Sequence, residues 1–330
     1  MRTGVIGAGG LGQHHVRILR DLPGSAFAGF FETDRARAAS VSAALGVRAY
    51  DGLEALLDDV DAVTIVVPTP AHFAVAQQVL ARGIHALIEK PIAATLAEAD
   101  TLLATARAHG ALVQTGHVER FNRAIRAALP HVDAPRFIES DRLAPFNPRG
   151  ADVAVVLDLM IHDIDLVHTL VRGNATSVAA VGVPVLTPFV DMANARLTFE
   201  SGAVANITAS RVSRERMRKL RIFQQSGYLS LDLHAGTGEF YRMRDVDLAQ
   251  LATAPLALEQ FVERIPLDAP EGDALTLEFE SFLAAVRGEG AIPVTGEAGR
   301  DALAVALQIV AEIERSHPAG RGTTPATTRA

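Results

Sequence analysis

Cysteine and tryptophan are absent from the 330 residues, and aromatic residues make up only 5%. A chain without thiols forms no disulfide, offers no thiolate nucleophile and holds no sulfur-ligated metal. No apolar run approaches the ~20 residues that a bilayer-spanning helix needs. The opening residues Met1 to Gly7 pass straight into a strand-like run, without the charged and apolar regions of a secretory leader. A formal net charge of -7 leaves no basic excess for general nucleic-acid binding. These absences lead to the expectation of a cytoplasmic protein with neither membrane nor nucleic acid as partner and with no metal site. What is present is a hydrophobic fraction of 49% over 330 residues, enough for two domains with cores of their own.

The first third alternates strand-like and helix-like segments. Strands are expected at Thr3 to Ile6, Ala26 to Glu32, Ala62 to Val67, His85 to Ile88 and Leu112 to Thr115. Helices fall between them, closed by Gly46, Gly83 and Gly110. Ala62 to Val67 is a continuous apolar, β-branched run, the mark of a strand buried on both faces. This β-α-β-α order predicts a doubly wound parallel sheet over 1–118. Residues 119–316 form an α+β domain for substrate binding and oligomerisation. One apolar helix is expected over Val153 to Val171, then strands from Ser177 to about Met243, then amphipathic helices at Ala274 to Arg287 and Gly299 to Ser316. Residues 317–330 are rich in Pro, Gly, Thr and Arg and read as a flexible tail.

Gly7-Ala8-Gly9-Gly10-Leu11-Gly12 fits G-x-G-x-x-G, and its place between the first strand and first helix turns a weak pattern into a dinucleotide fingerprint. Gly7 permits the tight turn, Gly9 admits a pyrophosphate, and Gly12 lets helix and strand pack closely, with Gly10 and Leu11 at the helix entrance. Glu32, about 20 residues on, is placed to accept hydrogen bonds from the adenosine ribose. It favours NAD over NADP, although Arg35 and Arg37 lie close. Pro68-Thr69-Pro70-Ala71-His72 follows the buried strand and would lie in the crevice beside the cofactor. His72 is either a cofactor or substrate contact or a surface histidine at a helix start.

Lys90 ends the run His85 to Glu89 before Pro91. A strand interior is costly for an ammonium, whereas the carboxyl end of a parallel strand faces the ligand crevice. Asp158 and His162, four apart on an apolar helix, share one face. They form either a proton-handling pair or a structural one.

Taken together, these motifs resemble the glucose-fructose oxidoreductase / inositol dehydrogenase family of NAD(P)-dependent sugar oxidoreductases. The matching pieces are Gly7-x-Gly9-x-x-Gly12, Pro68-Thr69-Pro70-x-His72, Glu89-Lys90-Pro91 and Asp158-x-x-x-His162-Asp163-x-Asp165, in the family's order up to about Ser316. The resemblance implies a Rossmann domain followed by a domain with a large open, mostly antiparallel sheet. It implies Lys90, Asp158 and His162 as the catalytic group, with Pro68, Thr69, His72, Glu89 and Lys90 beside NAD. Gly116 to Asn122 is similar to a segment of nucleotide-sugar 3-dehydrogenases acting on UDP-N-acetylglucosamine, which implies Arg120 and Asn122 at the substrate. A local capping or junction role is the alternative for both. Arg211 to Arg221 carries six cations in eleven residues, suited either to a diphosphate or to a solvated loop or oligomer contact.

The function so implied is NAD-dependent oxidation of a sugar hydroxyl, the 3-hydroxyl of UDP-N-acetylglucosamine. His162 would be the base, Lys90 would stabilise charge on the reacting oxygen, and Asp158 would orient them. Lys90 as base is the rival assignment. The alternatives are a dehydrogenase of a free polyol or hexose and a silent NAD-binding regulator. The second-domain sheet, with one open apolar face, predicts a homodimer or homotetramer.

Overall fold

The computed structural model describes residues 1–148, 150, 153–244 and 261–316. The expected tail, 317–330, lies outside the described residues. The chain divides into two compact units, Met1–Asp133 with Ser226–Ala304, and Ala134–Gln225 with Val305–Ala330.

The first unit holds a six-stranded parallel sheet in the order β3-β2-β1-β4-β5-β6. Its strands are β1 (Arg2–Ile6), β2 (Ala26–Phe31), β3 (Ala49–Tyr50), β4 (Ala62–Ile65), β5 (His85–Glu89) and β6 (Val113–Gly116). The helices between them are α1 (Gly12–Asp21), α2 (Arg35–Leu45), α3 (Leu53–Leu57), α4 (Thr69–Leu80) and α5 (Leu96–His109). All four residues of β4 are buried, as its β-branched run requires. Local signals start and stop the helices. Asp34 caps α2 by accepting the Arg37 amide at 3.0 Å. Thr95 and Glu98 form a capping box on α5. Gly46 and Gly110 end α2 and α5 in the left-handed conformation.

A later helix completes this core. Phe279, Phe282 and Leu283 of α8 (Ala274–Val286) pack with Val5, Val16, Leu19, Phe30 and Leu87. Each side chain so buried contributes roughly 1.5–3 kcal/mol. Nothing in the periodicity of α8 announces that its partners lie roughly 190 to 280 residues upstream.

The second sheet has eight strands in the order β14-β13-β12-β11-β7-β10-β9-β8. These are β7 (Phe137–Leu143), β8 (Ala175–Val183), β9 (Met192–Phe199), β10 (Val204–Ser210), β11 (Met217–Gln224), β12 (Gly227–Asp232), β13 (Thr237–Met243) and β14 (Val262–Leu267). Among the described pairings all are antiparallel except that between β7 and β10. Short β3 and β14 were not expected from the sequence, whereas β13 closes the stretch of strands expected up to about Met243. In the second unit, Ile138, Ala193, Ala195, Leu197, Ala205, Ile207, Leu220 and Ile222 are buried. The helix α7 (Ile161–Val171) meets this sheet through Asp163, which holds Ser140 and Arg142 of β7.

The opposite face is mixed rather than uniformly apolar. Glu139 pairs with Arg221 at 2.9 Å, Arg196 donates to Asn206 at 3.0 Å, and Asn194 donates to Thr208 at 3.0 Å. Strand alternation sends these polar residues outward, beside the Phe137–Phe223 ring pair. Exposed apolar side chains lie on the edge strand β8 and the loop after it: Val181, Val183, Val185, Leu186 and Phe189.

Candidate active site

At the carboxyl end of β1 the chain turns sharply at Gly7, with φ +93°. A side chain there would come within 2.5 Å of the Val66 carbonyl, and one at Gly12 within 2.1 Å of the Gly7 carbonyl. Only glycine allows these approaches. Around Gly9 there is open space, with nothing within 4 Å of where a side chain would begin. No side chain caps α1 at Leu11, which is 41% exposed. In the first turn the Gln13 amide donates to the Gly9 carbonyl and the His14 and His15 amides to that of Leu11, so what the helix start offers an anion is chiefly the positive end of its dipole. Tight turn, open approach and uncapped helix start fit a dinucleotide pyrophosphate.

Glu32 follows β2 and turns toward this loop. Its carboxylate accepts the Ala8 amide at 2.9 Å and the Asp34 amide at 3.0 Å, and Arg37 lies 3.4 Å away. Burial pushes the Glu32 carboxyl up, but the Asp34 and Ala8 amides and the Arg37 charge outweigh it and hold the group below its ordinary range. It is therefore ionised at neutral pH and remains a hydrogen-bond acceptor beside the loop. Arg37 is shared with Asp34 at 3.4 Å. Of the two arginines that might greet a 2′-phosphate, Arg37 is already paired.

Lys90 stands immediately after β5, as expected, and the Lys90–Pro91 peptide is cis. Pro68 and Thr69 open α4 at the carboxyl end of the neighbouring β4. His72 of α4 corrects the sequence reading. It is 1% exposed, with Nδ1 2.8 Å from the Pro91 carbonyl and Nε2 2.9 Å from the Val67 carbonyl. Burial pushes this imidazole down in pKa against the pull of the two carbonyls. His72 therefore clamps the turn after Lys90 to the end of β4 and presents no free nitrogen to a ligand.

Glu89 is likewise turned inward. Its Oε2 accepts the Lys90 amide at 3.2 Å, and Oε1 lies 3.3 Å from Nε2 of the buried His15. Gly116, its partner on β6, leaves the room it fills: a side chain at Gly116 would start 2.9 Å from the Glu89 carboxyl carbon. Burial pushes the Glu89 carboxyl up, but the contact and charge of His15, with the charge of Lys90, hold it below its ordinary range. The expectation that Glu89 contacts cofactor is thus replaced by a role beneath Lys90.

Arg120 and Asn122 also find local partners. Arg120 donates to the Pro293 carbonyl at 3.0 Å. The Asn122 amide donates to Glu119 at 3.0 Å and to the Leu233 carbonyl at 2.8 Å, and its oxygen caps α6 (Arg123–Ala128) by accepting the Ala124 amide at 3.0 Å. With both donors and the acceptor in use, Asn122 is a cap and junction residue. The asparagine directly before a helical run was the signal for this.

Asp158 and His162 belong to the other unit. The helix expected over Val153 to Val171 runs from Val155, and its first part, Val156–Met160, is a π-helical turn that leads directly into α7. The wider turn shifts the helix register at Asp158, and such turns recur at functional sites. The Asp158 carboxylate lies against Gly150, where a side chain would begin 2.7 Å from Oδ2. Asp163 is structural: it accepts Arg142 Nε at 2.6 Å and Ser140 at 2.9 Å, all three groups being buried.

Arg211 requires a correction of the same kind. It is 3% exposed, sits 3.0 Å from Asp191, and donates to the carbonyls of Gly150, Val153 and Val190. Asp191 in turn accepts the amides of Val185, Leu186 and Thr187 at 2.7–2.8 Å and the Thr187 hydroxyl at 2.7 Å. Burial pushes the Asp191 carboxyl up, yet these amides and the hydroxyl hold it well below the usual carboxylate range. Arg211 therefore fastens the segment leading to Asp158 and has no face left for a diphosphate. The rest of the basic stretch runs into β11, where Arg221 pairs with Glu139 and Lys219 stands opposite Asp141. The six cations are not one cluster.

Residues 1–117 match the NAD-binding Rossmann-fold domain of an oxidoreductase family, and residues 125–230 match the GFO/IDH/MocA C-terminal domain. The chain is 41% identical over 315 residues to the UDP-N-acetylglucosamine 3-dehydrogenase of Acidithiobacillus ferrooxidans, covering 95% of this chain and 97% of that protein. A solved structure of that enzyme, GnnA, superposes with a TM-score of 0.87, covering 96% of this chain and 98% of the other at 41% identity. The scyllo-inositol 2-dehydrogenase (NAD(+)) of Bacillus subtilis is 29% identical over 64% of this chain and 68% of its own.

Proposed function

Because the chain belongs to the glucose-fructose oxidoreductase / inositol dehydrogenase (GFO/IDH/MocA) family, we propose that it is an NAD-dependent dehydrogenase oxidising the 3-hydroxyl of UDP-N-acetylglucosamine to the 3-keto sugar nucleotide. The observation that carries this is the near full-length identity of 41% to a relative bearing that name. Relatives named for inositol oxidation match at lower identity over a smaller share of the chain. The polyol reading is therefore the weaker one.

NAD⁺ supplies the nicotinamide carbon that accepts the hydride; the protein has to hold it and to manage one proton. The Gly7 to Gly12 loop and the start of α1 receive the pyrophosphate, and Glu32 accepts the ribose hydroxyls. Oxidation removes a hydride from carbon and a proton from oxygen. We assign the proton to His162, whose unperturbed pKa of ~6.5 suits a base at neutral pH. The Lys90 ammonium hydrogen-bonds the same oxygen and stabilises the charge that develops there. Asp158 orients this pair. Lys90, at a strand end beside the fingerprint loop, is the first group to test. A regulator without activity would have no need of Lys90, Asp158 and His162 together.

The test is absorbance at 340 nm with purified protein, NAD⁺ and either UDP-N-acetylglucosamine, free N-acetylglucosamine or myo-inositol. NADH formation with the UDP-sugar alone is the expected result. Turnover of the free polyol in preference to the UDP-sugar, or no turnover despite NAD⁺ binding, would refute it.

A further inference from the structure

His15 is fully buried in α1, three residues after the last glycine of the fingerprint. Its Nδ1 is 3.2 Å from the Thr64 hydroxyl of β4, its Nε2 is 3.3 Å from Glu89, and its ring meets Phe279 edge-on at 4.9 Å between centroids. The proposed reaction does not use it. The approach of Nε2 to Glu89 is a charge contact without hydrogen-bond alignment. A lone pair on Nε2 would face an anionic carboxylate, so Nε2 carries the proton. Nδ1 faces the Thr64 hydroxyl, which can donate or accept, so a ring protonated at Nε2 suits both neighbours.

What this ring holds is the carboxylate beneath Lys90. Glu89 reaches His15 because Gly116 has no side chain, and its other oxygen takes the Lys90 amide. The Glu89 carboxylate also feels the Lys90 charge. Helix α1, which receives the cofactor pyrophosphate, is thereby joined through one ring to the turn carrying the lysine.

We infer that His15 is a positioning residue: through Glu89 it fixes the backbone and the ammonium of Lys90, tying the cofactor-binding helix to the reacting end of the site. The inference rests on the reading of Lys90 as the group at the reacting oxygen. Part of its test is therefore independent of any substrate.

The chain has only two lysines, Lys90 and Lys219. Reductive ¹³C-methylation of the full-length protein thus gives two side-chain lysine signals, and a Lys90→Arg control assigns them. His15→Phe keeps the volume and the ring contact with Phe279 but removes the proton donor. It is expected to shift the Lys90 signal while leaving that of Lys219 in place. It is also expected to lower kcat at least tenfold with KM for NAD⁺ within about threefold. His15→Gln, which restores a donor, should recover part of the loss. In a Glu89→Gln background His15→Phe should add nothing further.

An unmoved Lys90 signal overturns the inference whatever the substrate proves to be. So does a multiplicative loss in the double variant, or a loss confined to NAD⁺ affinity. Should His15→Phe fail to fold, Gly116→Ala carries the test, because its added carbon displaces Glu89 from His15. The same Lys90 shift is expected, and its absence is decisive against the proposal. Absence of turnover by the wild-type protein with the UDP-sugar would instead tell against the functional reading alone.

Discussion

Replacing Arg211 with methionine separates two readings of the same residue. A diphosphate ligand would be reachable by solvent, and its loss would raise KM for the UDP-sugar while leaving stability unchanged. The structure shows a guanidinium 3% exposed, held by Asp191 and by three backbone carbonyls. Hydrogen bonds to a charged group contribute about 1.5–3 kcal/mol each. Three of them plus the ion pair set an upper bound well above what relaxation and water entry would leave. Breaking a buried pair typically costs about 3–5 kcal/mol, and that range is the expectation for Arg211→Met. At about 2–4 °C per kcal/mol the loss corresponds to a fall in Tm of roughly 6–20 °C. Arg211→Lys should recover little, because one ammonium cannot serve carbonyls arranged for a planar fork. Urea and thermal unfolding followed by circular dichroism measure the effect. A stability loss below about 1 kcal/mol, combined with a tenfold rise in KM, would refute the anchoring role.

Lys90→Met should lower kcat by about 10²–10⁴, with NAD⁺ affinity within a few-fold, as loss of a charge-stabilising group predicts; turnover near the wild-type rate would sink its assignment. Glu32→Ala removes the acceptor for the ribose and frees Arg37 from one of its two partners, so the ratio of kcat/KM for NADP⁺ to that for NAD⁺ should rise at least tenfold in parallel assays. The pKa of Asp191 is lower in the folded protein than in the unfolded chain, so the stability it contributes is present above about pH 4 and is lost as pH falls through the folded value. Asp191→Asn should therefore be less stable than the wild type at pH 6, with the gap narrowing on acidification below pH 4; urea midpoints across that range test it.

The parallel sheet was legible because each of its cues is local. The Gly7 to Gly12 turn, the buried run at β4 and the glycines that close α2 and α5 need only their neighbours in sequence to act. The same holds for Lys90, whose position after β5 follows from an apolar run and a proline. The π-helical turn at Asp158 was not legible, because Val156 to Met160 has an ordinary helical composition and its register depends on tertiary context. Strand β14 follows residues of no strand-like pattern and is held by pairing with β13, a contact no local window contains. Gly116 entered the sequence reading only as the start of the Gly116 to Asn122 segment; that its missing side chain houses Glu89 emerges only when β5 and β6 lie side by side.

Composition nominates polar residues for a site but does not say how many of their donors and acceptors the fold has already used. His72 and Arg211 have sequence contexts as suggestive as that of Lys90, yet backbone carbonyls occupy both His72 nitrogens and most of the Arg211 fork. Residue chemistry explains part of the division. Arginine is permanently charged and presents a planar set of donors, so it suits the buried anchoring seen at Arg142 with Asp163 and at Arg211 with Asp191. Lysine is a movable point charge that shifts its pKa when desolvated, a poor anchor but a usable reacting group. This chain employs lysine at only two positions, one on the sheet surface at Lys219 and one at the end of β5. Where nearly every structural cation is an arginine, a half-buried lysine over an ionised Glu89 is not filling an anchoring role. Under the proposed function it is the group at the reacting oxygen, a task suited to a movable point charge.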